Sequence, residues 1–264
     1  MTRIYCVCAG LISLTLPVLA QRNNVGGTIS LKKRLHINTL ITTPGTLEID
    51  WAGDYSLSSD GLFLPTAIKY TPMGRHDWWG RTEYSVAFNA FDGPASRFGQ
   101  TMTVTGTCVL IDGTHLDIAI APQVTAFLRD ERGARLGATA IARLDVGRNS
   151  IGATLGWSGA TNSSATNPAG TVDVGFGAGR RLAAGGALGH FSPHFNAGWE
   201  RSTGVARIVS LAEGVEYQIV DALAFDVSAQ QVAAFAQRPD RQVIFSITAN
   251  LGHPKLAGIL RSPH

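Results

Sequence analysis

The chain has 264 residues with a net charge of +3, and 16% of them are charged against 45% apolar. That charged share lies well under the roughly 25% usual in soluble domains, and so small a net charge points to no nucleic-acid partner. Thirty glycines and eleven prolines argue against a helix-rich protein, and three cysteines cannot build a disulfide framework.

Near the start, Arg3 precedes an apolar stretch from Ile4 to Ala20 that closes on Val18-Leu19-Ala20 ahead of Gln21. This is the pattern of an export signal with a small-residue cleavage site. A membrane anchor is the competing reading, but the stretch is barely long enough to span and is diluted by cysteine, glycine and threonine. Residues 1–20 are therefore expected to be a cleaved signal peptide. Cys108 is then the only cysteine of the mature chain, a small side chain expected to be buried or lipid-facing. Residues 21–45 hold the one basic run, Lys32-Lys33-Arg34 with His36, in a segment expected to be either periplasmic or pore-entering.

From residue 46 onward the dominant signal is alternation. Leu47, Ile49 and Trp51 alternate with Glu48, Asp50 and Ala52, and Thr82, Tyr84, Val86 and Phe88 with Arg81, Glu83, Ser85 and Asn89. Val172, Val174 and Phe176 alternate with Thr171, Asp173 and Gly175, and Leu223, Phe225 and Val227 with Asp226 and Ser228. Val243, Phe245, Ile247, Ala249 and Leu251 close the series. Side chains of a strand point to opposite faces in turn, so each segment has one apolar and one polar face. Turn clusters such as Ser59-Asp60-Gly61, Asp112-Gly113 and Asn167-Pro168-Ala169-Gly170 separate the segments. They bound about twelve strands of about ten residues, the length that crosses a bilayer when tilted.

Alternation alone fits a soluble barrel with its apolar face inside or a membrane barrel with that face outside. Three features favour the membrane. The polar face is rich in Gly, Ser, Thr, Ala and Asn rather than in Lys and Glu. Several segments exceed the length of typical sandwich strands. Aromatic residues (Trp51, Tyr55, Tyr70, Trp78, Trp79, Trp157, Trp199) gather toward segment ends, as interfacial girdles do. The expected fold is an all-β, transmembrane antiparallel up-and-down β-barrel of about twelve strands over residues 46–252, followed by a tail, 253–264. The segments Asp92–Phe98 and Ser158–Pro168 are expected to face opposite compartments or to differ in length class, the latter being an extracellular loop.

The order of these elements resembles a bacterial outer-membrane family, labelled after the meta-pathway of phenol degradation and called "transporter". The opening pair Thr46–Asp50 and Leu64–Tyr70 is similar to that family's first hairpin. His194-Phe195-Asn196-Ala197-Gly198-Trp199 resembles its His-x-Asn-x-Gly-aromatic strand, and Glu213–Asp226 its closing hairpin. The family often ends its last strand on an aromatic residue, whereas Leu251-Gly252 stands here. The resemblance implies an outer-membrane channel or transporter; the label does not establish phenol as the substrate.

Parity within the strands then nominates the interior. Glu48, Asp50, Lys69, Arg81, Glu83, Asp117, Arg143, Asp145, Asp173, His194, Glu200, Glu216 and Asp226 are expected to face a water-filled lumen. There each either meets solute or fills the barrel through a salt bridge or hydrogen bond. Glu213 shares parity with Val215 and Tyr217, which leaves its face open unless Gly214 marks a bulge. His190-Phe191-Ser192 offers a competing chemistry, because a lipid A deacylase family uses a His-x-Ser pair with a Glu nearby, here Glu200. That pair would share the lumen face with His194 and Asn196, whereas a lipid hydrolase must reach the lipid side. The reading carried forward is a non-catalytic channel in the bacterial outer membrane, with outer-membrane lipid and small solutes, hydrophobic or aromatic ones included, as partners. No cofactor or metal set is expected; a lipid hydrolase and a soluble ligand-binding barrel are the alternatives.

Overall fold

A computed structural model describes residues 40–42, 44–57, 61–73, 81–92, 101–128, 133–163, 168–182, 191–220, 222–234 and 239–251. The signal segment, Lys32-Lys33-Arg34, Trp78, Trp79, His190 and the tail 253–264 lie outside these residues. Twelve strands follow one another: β1 Leu47–Ser56, β2 Gly61–Tyr70, β3 Thr82–Asp92, β4 Thr101–Asp112, β5 Leu116–Phe127 and β6 Ala134–Val146. The second half is β7 Asn149–Ala160, β8 Gly170–Arg180, β9 Phe191–Ser202, β10 Ile208–Val220, β11 Leu223–Ala234 and β12 Asp240–Leu251. Each pairs antiparallel with its sequence neighbours, and β12 returns to β1, closing the barrel. The expected strand number and the observed one agree.

Closure assigns the two faces. Along β1, Glu48, Asp50, Ala52, Asp54 and Ser56 are buried while Leu47, Trp51 and Tyr55 are exposed. Along β6, Arg135, Thr139, Ile141 and Arg143 are buried while Leu136 and Leu144 are exposed. Only the concave face of a closed sheet can bury charged side chains in such numbers, so the polar parity points inward and the apolar parity outward. Glu213 belongs to the outward set: it is exposed in mid-β10, in step with Leu211 and Val215, and the irregularity of β10 lies instead between Gln218 and Val220. Cys108 is half-buried on the outward face of β4, where Thr82 Oγ1 donates to its Sγ at 3.7 Å.

Both ends of the barrel chain, at β1 and β12, lie at one rim, the terminal rim. The tight β6–β7 turn there uses Gly147 at φ +62°, a left-handed conformation that glycine adopts without Cβ strain. The far rim carries the connections 93–100 and 161–169. These two therefore face the same side and have eight and nine residues, contrary to the expected opposition or difference in length. The reason is strand parity: each follows an odd-numbered strand, and alternation within strands does not reveal that count. Ser158, Gly159 and Ala160 also continue β7 rather than starting a loop.

Aromatic placement is partly at the rims. Tyr70 and Tyr84 are paired in register beside the terminal rim, where Phe191 and Tyr217 also meet at 4.7 Å between ring centroids. Trp51 instead stands in mid-strand, edge-on to Phe245 with centroids 6.5 Å apart. Phe245 lies opposite Gly53 and covers it so closely that a Cβ there would collide with the ring. Gly53→Val should therefore cost about 1–3 kcal/mol of stability by overpacking. The same substitution in a Phe245→Ala background should cost clearly less, which urea unfolding of the refolded barrel in a double-mutant cycle measures.

Candidate functional site: the charged interior

At the terminal rim, the seam strand β1 places two carboxylates beside one ammonium. Register sets Glu48 against Lys69 of β2 and Asp50 against Thr248 of β12. Lys69 Nζ lies 3.2 Å from Glu48 Oε1 and 2.6 Å from Asp50 Oδ2, and Thr248 Oγ1 donates to Asp50 Oδ1 at 2.8 Å. Lys69 is 2% exposed, so the ammonium has exchanged water for these oxygens. Next along the wall, Glu83 of β3 is buried and accepts the Thr42 backbone N–H at 2.8 Å. The chain ahead of β1 thus turns into the barrel mouth. Thr42 Oγ1 meets Thr71 Oγ1 at 2.8 Å, and Leu40 packs in a cluster with the inward Ala119, Ala121 and Ile141, joined by Val109.

On β6, Arg143 forms a fork with Asp145, Nε to Oδ1 at 3.1 Å and Nη2 to Oδ2 at 2.7 Å, and Asp117 of β5 stands opposite it in register. Arg135, eight positions earlier, has the same inward parity and was not among the nominated residues. Its guanidinium donates to Pro168 O at 2.8 Å, Ser158 Oγ at 2.8 Å and Thr171 Oγ1 at 2.6 Å. From Thr171 the chain of hydroxyls runs to Ser202 Oγ at 2.7 Å and ends on Glu200 Oε1 at 3.2 Å. Asp54 and Asp240 are two further buried carboxylates that the nominated set lacks; Ser56 and Gln242 donate to Asp240 at 2.7 and 2.8 Å.

A third group spans β9 to β11. His194 Nε2 contacts Asp226 Oδ2 at 2.5 Å across the intervening β10, and Asn196 Nδ2 lies 3.3 Å from its Nδ1. The reach is possible because β10 presents Gly214 between them. A Cβ at that position would stand 2.8 Å from His194 Cε1 and 2.5 Å from Ser228 Cβ. On β7 and β8 the inward positions are small as well. Gly152 faces Gly177, Thr154 faces Gly175, and Asp173 overlies Gly156.

Of the nominated residues, Glu48, Asp50, Lys69, Glu83, Arg143 and His194 are buried, while Asp117, Asp145, Asp173, Glu200, Glu216 and Asp226 are half-buried on the same inward parity. Arg81 differs: it precedes β3 and is exposed, because the strand starts at Thr82 and the parity inferred for it has no strand to act in. The pairings are Glu48 and Asp50 with Lys69, Arg143 with Asp145, and His194 with Asp226. Ser192 is also on the inward parity, facing Glu216 in register, and the nearest described histidine on β9, His194, is engaged by Asp226. At the terminal rim a cavity of about 350 Å³ is lined by Glu216, Asp145, Ser192, Arg148, Thr248 and Asn250, among others.

The barrel is shared with solved outer-membrane proteins. The NanC porin superposes with a TM-score of 0.58 at 9% identity, over 77% of this chain and 100% of that one. The KdgM porin gives 0.56 at 8%, over 76% and 98%. An outer membrane channel from Pseudomonas putida F1 gives 0.56 at 10%, over 82% and 98%. At these identities the likeness is one of fold. No family model matches the sequence, and no curated protein does.

The Lys69 cluster makes a sharp expectation. Lys69→Met leaves two buried carboxylates without their cation and should destabilise the barrel by about 3–5 kcal/mol. Replacing the group together (Lys69→Met, Glu48→Gln, Asp50→Asn) should recover much of that loss. Urea unfolding of the three barrels from lipid vesicles compares them.

Proposed function

We propose that this chain is an outer-membrane channel for small solutes and performs no chemical step on them. The observation that carries the reading is the inverted distribution of polarity. Trp51, Leu136, Leu155, Trp157, Val227 and Phe245 are exposed on the outward face, while Glu48, Asp50, Lys69, Glu83 and Arg143 are buried on the inward one. An outward face of that kind suits hydrocarbon, and a closed sheet leaves no unpaired backbone edge in it. The likeness to porins and to an outer membrane channel supports the same reading, as does the expected export signal. One of those porins is known in complex with disordered oligogalacturonate. The family resemblance, with its phenol-pathway label, adds hydrophobic and aromatic molecules to the solutes worth testing.

The segment 21–45 belongs to the pore on this reading. Of its described members, Leu40 and Thr42 are buried against inward-facing residues of β3 to β6. A twelve-stranded barrel encloses more space than an eight-stranded one, whose interior side chains just fill, so a chain segment can occupy part of it. The test is reconstitution in planar bilayers, after outer-membrane fractionation and heat-modifiable gel mobility establish a folded membrane barrel. The wild-type protein should give discrete channel steps, and removal of residues 22–42 should raise their conductance. Equal conductance in both would put the segment outside the conducting path, and a wild-type barrel that never conducts would overturn the channel reading.

A further inference from the structure

Two arginines, Arg148 and Arg181, meet at the terminal rim. The β6–β7 turn is only Gly147-Arg148, and β8 runs beside β7 in register until Arg180 faces Asn149. One step further, Arg181 N donates to Arg148 O at 2.9 Å, so these two residues extend the pairing past the strand ends. Counted from the inward Ser150 and Gly179, both fall on the inward parity, and both line the terminal cavity of about 350 Å³. Side chains directly opposed across a strand pair stand about 4.5–5.5 Å apart at Cβ, and like charges so placed repel. Among the described residues no ion pair or side-chain hydrogen bond engages either guanidinium. Arg180 lines the same lip from the outward parity and adds to its positive charge.

The carboxylates on this cavity do not answer them. Asp145 is held in the fork of Arg143, and Glu216 has interactions of its own. A guanidinium offers its N–H donors in a planar fork that matches a carboxylate, and two of them in adjacent positions suit one anion. Exposed at the lip, Arg148 and Arg181 can meet a solute arriving from the terminal side. The cavity also touches Asn250, near the end of β12. Its Oδ1 is buried and has no hydrogen-bond partner among the described residues, and such an acceptor is costly to leave unpaired. The cavity volume lies at the lower end of the roughly 300–1,000 Å³ usual for small-molecule pockets.

We propose that this cavity binds small organic anions that also carry a hydroxyl or amino donor. Arg148 and Arg181 take the carboxylate, and Asn250 Oδ1 accepts from the donor group. The site is a docking station at the mouth of the channel; the inference rests on the channel reading above and deepens it by naming a solute class.

The experiment is a ligand-observed NMR titration of the full mature chain, folded in detergent micelles, with 3-hydroxybenzoate as the probe. The acid should bind, and 3-hydroxybenzamide, which lacks its charge, should bind about ten-fold more weakly. Arg148→Gln with Arg181→Gln should weaken 3-hydroxybenzoate by about the same factor, whereas Arg201→Gln at the far rim should leave it unchanged. Asn250→Ala should weaken 3-hydroxybenzoate several-fold and leave benzoate, which has no donor, where it was. Heat-modifiable mobility checks that each variant is folded; if the double variant is not, Arg181→Gln alone must weaken binding in the same direction. Equal binding of acid and amide, or binding unmoved by the arginine substitutions, overturns the inference, and an Asn250→Ala effect equal for both acids overturns its donor half. Planar-bilayer recording of the same preparation separates it from the channel reading. A barrel that conducts but fails these binding tests leaves the channel standing. One that binds as stated but never conducts overturns the channel reading and the docking role with it.

Discussion

β1 hydrogen-bonds to β12 on one side and to β2 on the other, and this double pairing fixes every other orientation in the molecule. Ten residues of β1, from Leu47 to Ser56, are matched in order against Leu251 to Gln242. Because side chains alternate with a period of two, a slip of one residue at this seam would turn all of β1 over. Glu48 and Asp50 would then point outward and Trp51 and Tyr55 inward. The seam is held against such a slip from both flanks, by Lys69 on the β2 side and by the Thr248 hydroxyl on the β12 side. A buried ion cluster of this sort adds little net stability compared with a well-packed apolar one. Its value here lies in register, since only one alignment gives the ammonium both carboxylates.

Inside the closed wall, side-chain size divides the inner face into a bulky arc and a sparse one. The β1–β6 arc carries Lys69, Glu83, Arg143 and the Leu40 cluster. The β7–β8 arc presents mainly glycine, serine and threonine inward. In a barrel of twelve strands β7 stands diametrically opposite β1, so the bulky and the sparse arcs face each other. Glycine at these positions weakens strand propensity, a local cost that the closed sheet carries.

Most of this geometry is legible in the amino-acid order because a barrel strand is its own ruler. Once Glu48 and Asp50 are set against Leu47, Ile49 and Trp51, the orientation of each neighbour follows. Arg135 obeys the same parity as Arg143, eight residues upstream on β6. Asp54 and Asp240 sit near strand ends, where alternation gives way to turn residues and parity is least legible. The converse error is Arg81, for parity carries no meaning outside a strand. Two things could not be had from alternation. Which rim a connection joins depends on counting every strand before it, and which inward charges meet depends on the stagger between strands. The Gly214 gap that lets His194 reach Asp226 two strands away belongs to the second kind.

Glu213 and the opposed carboxylates inside show where local preference and global structure disagree. An exposed glutamate among Leu211, Val215 and Tyr217 sits poorly in an apolar outward band, and acidic residues on such a face carry a depth-dependent cost, smaller than that of Arg or Lys. Asp173 against Glu200, and Glu216 against Asp226, set like charges face to face. A two-stranded ribbon would relieve these strains by fraying or slipping. A closed barrel has no such freedom, because moving one strand breaks its hydrogen bonds on both sides and opens an edge. Cooperative closure thus lets the sequence keep pairings that weaken the sheet locally. Conflicts of this sort between local rule and fold are expected at sites kept for function. The inner pairs lie on the face the closed sheet encloses, whereas Glu213 lies on the outward face.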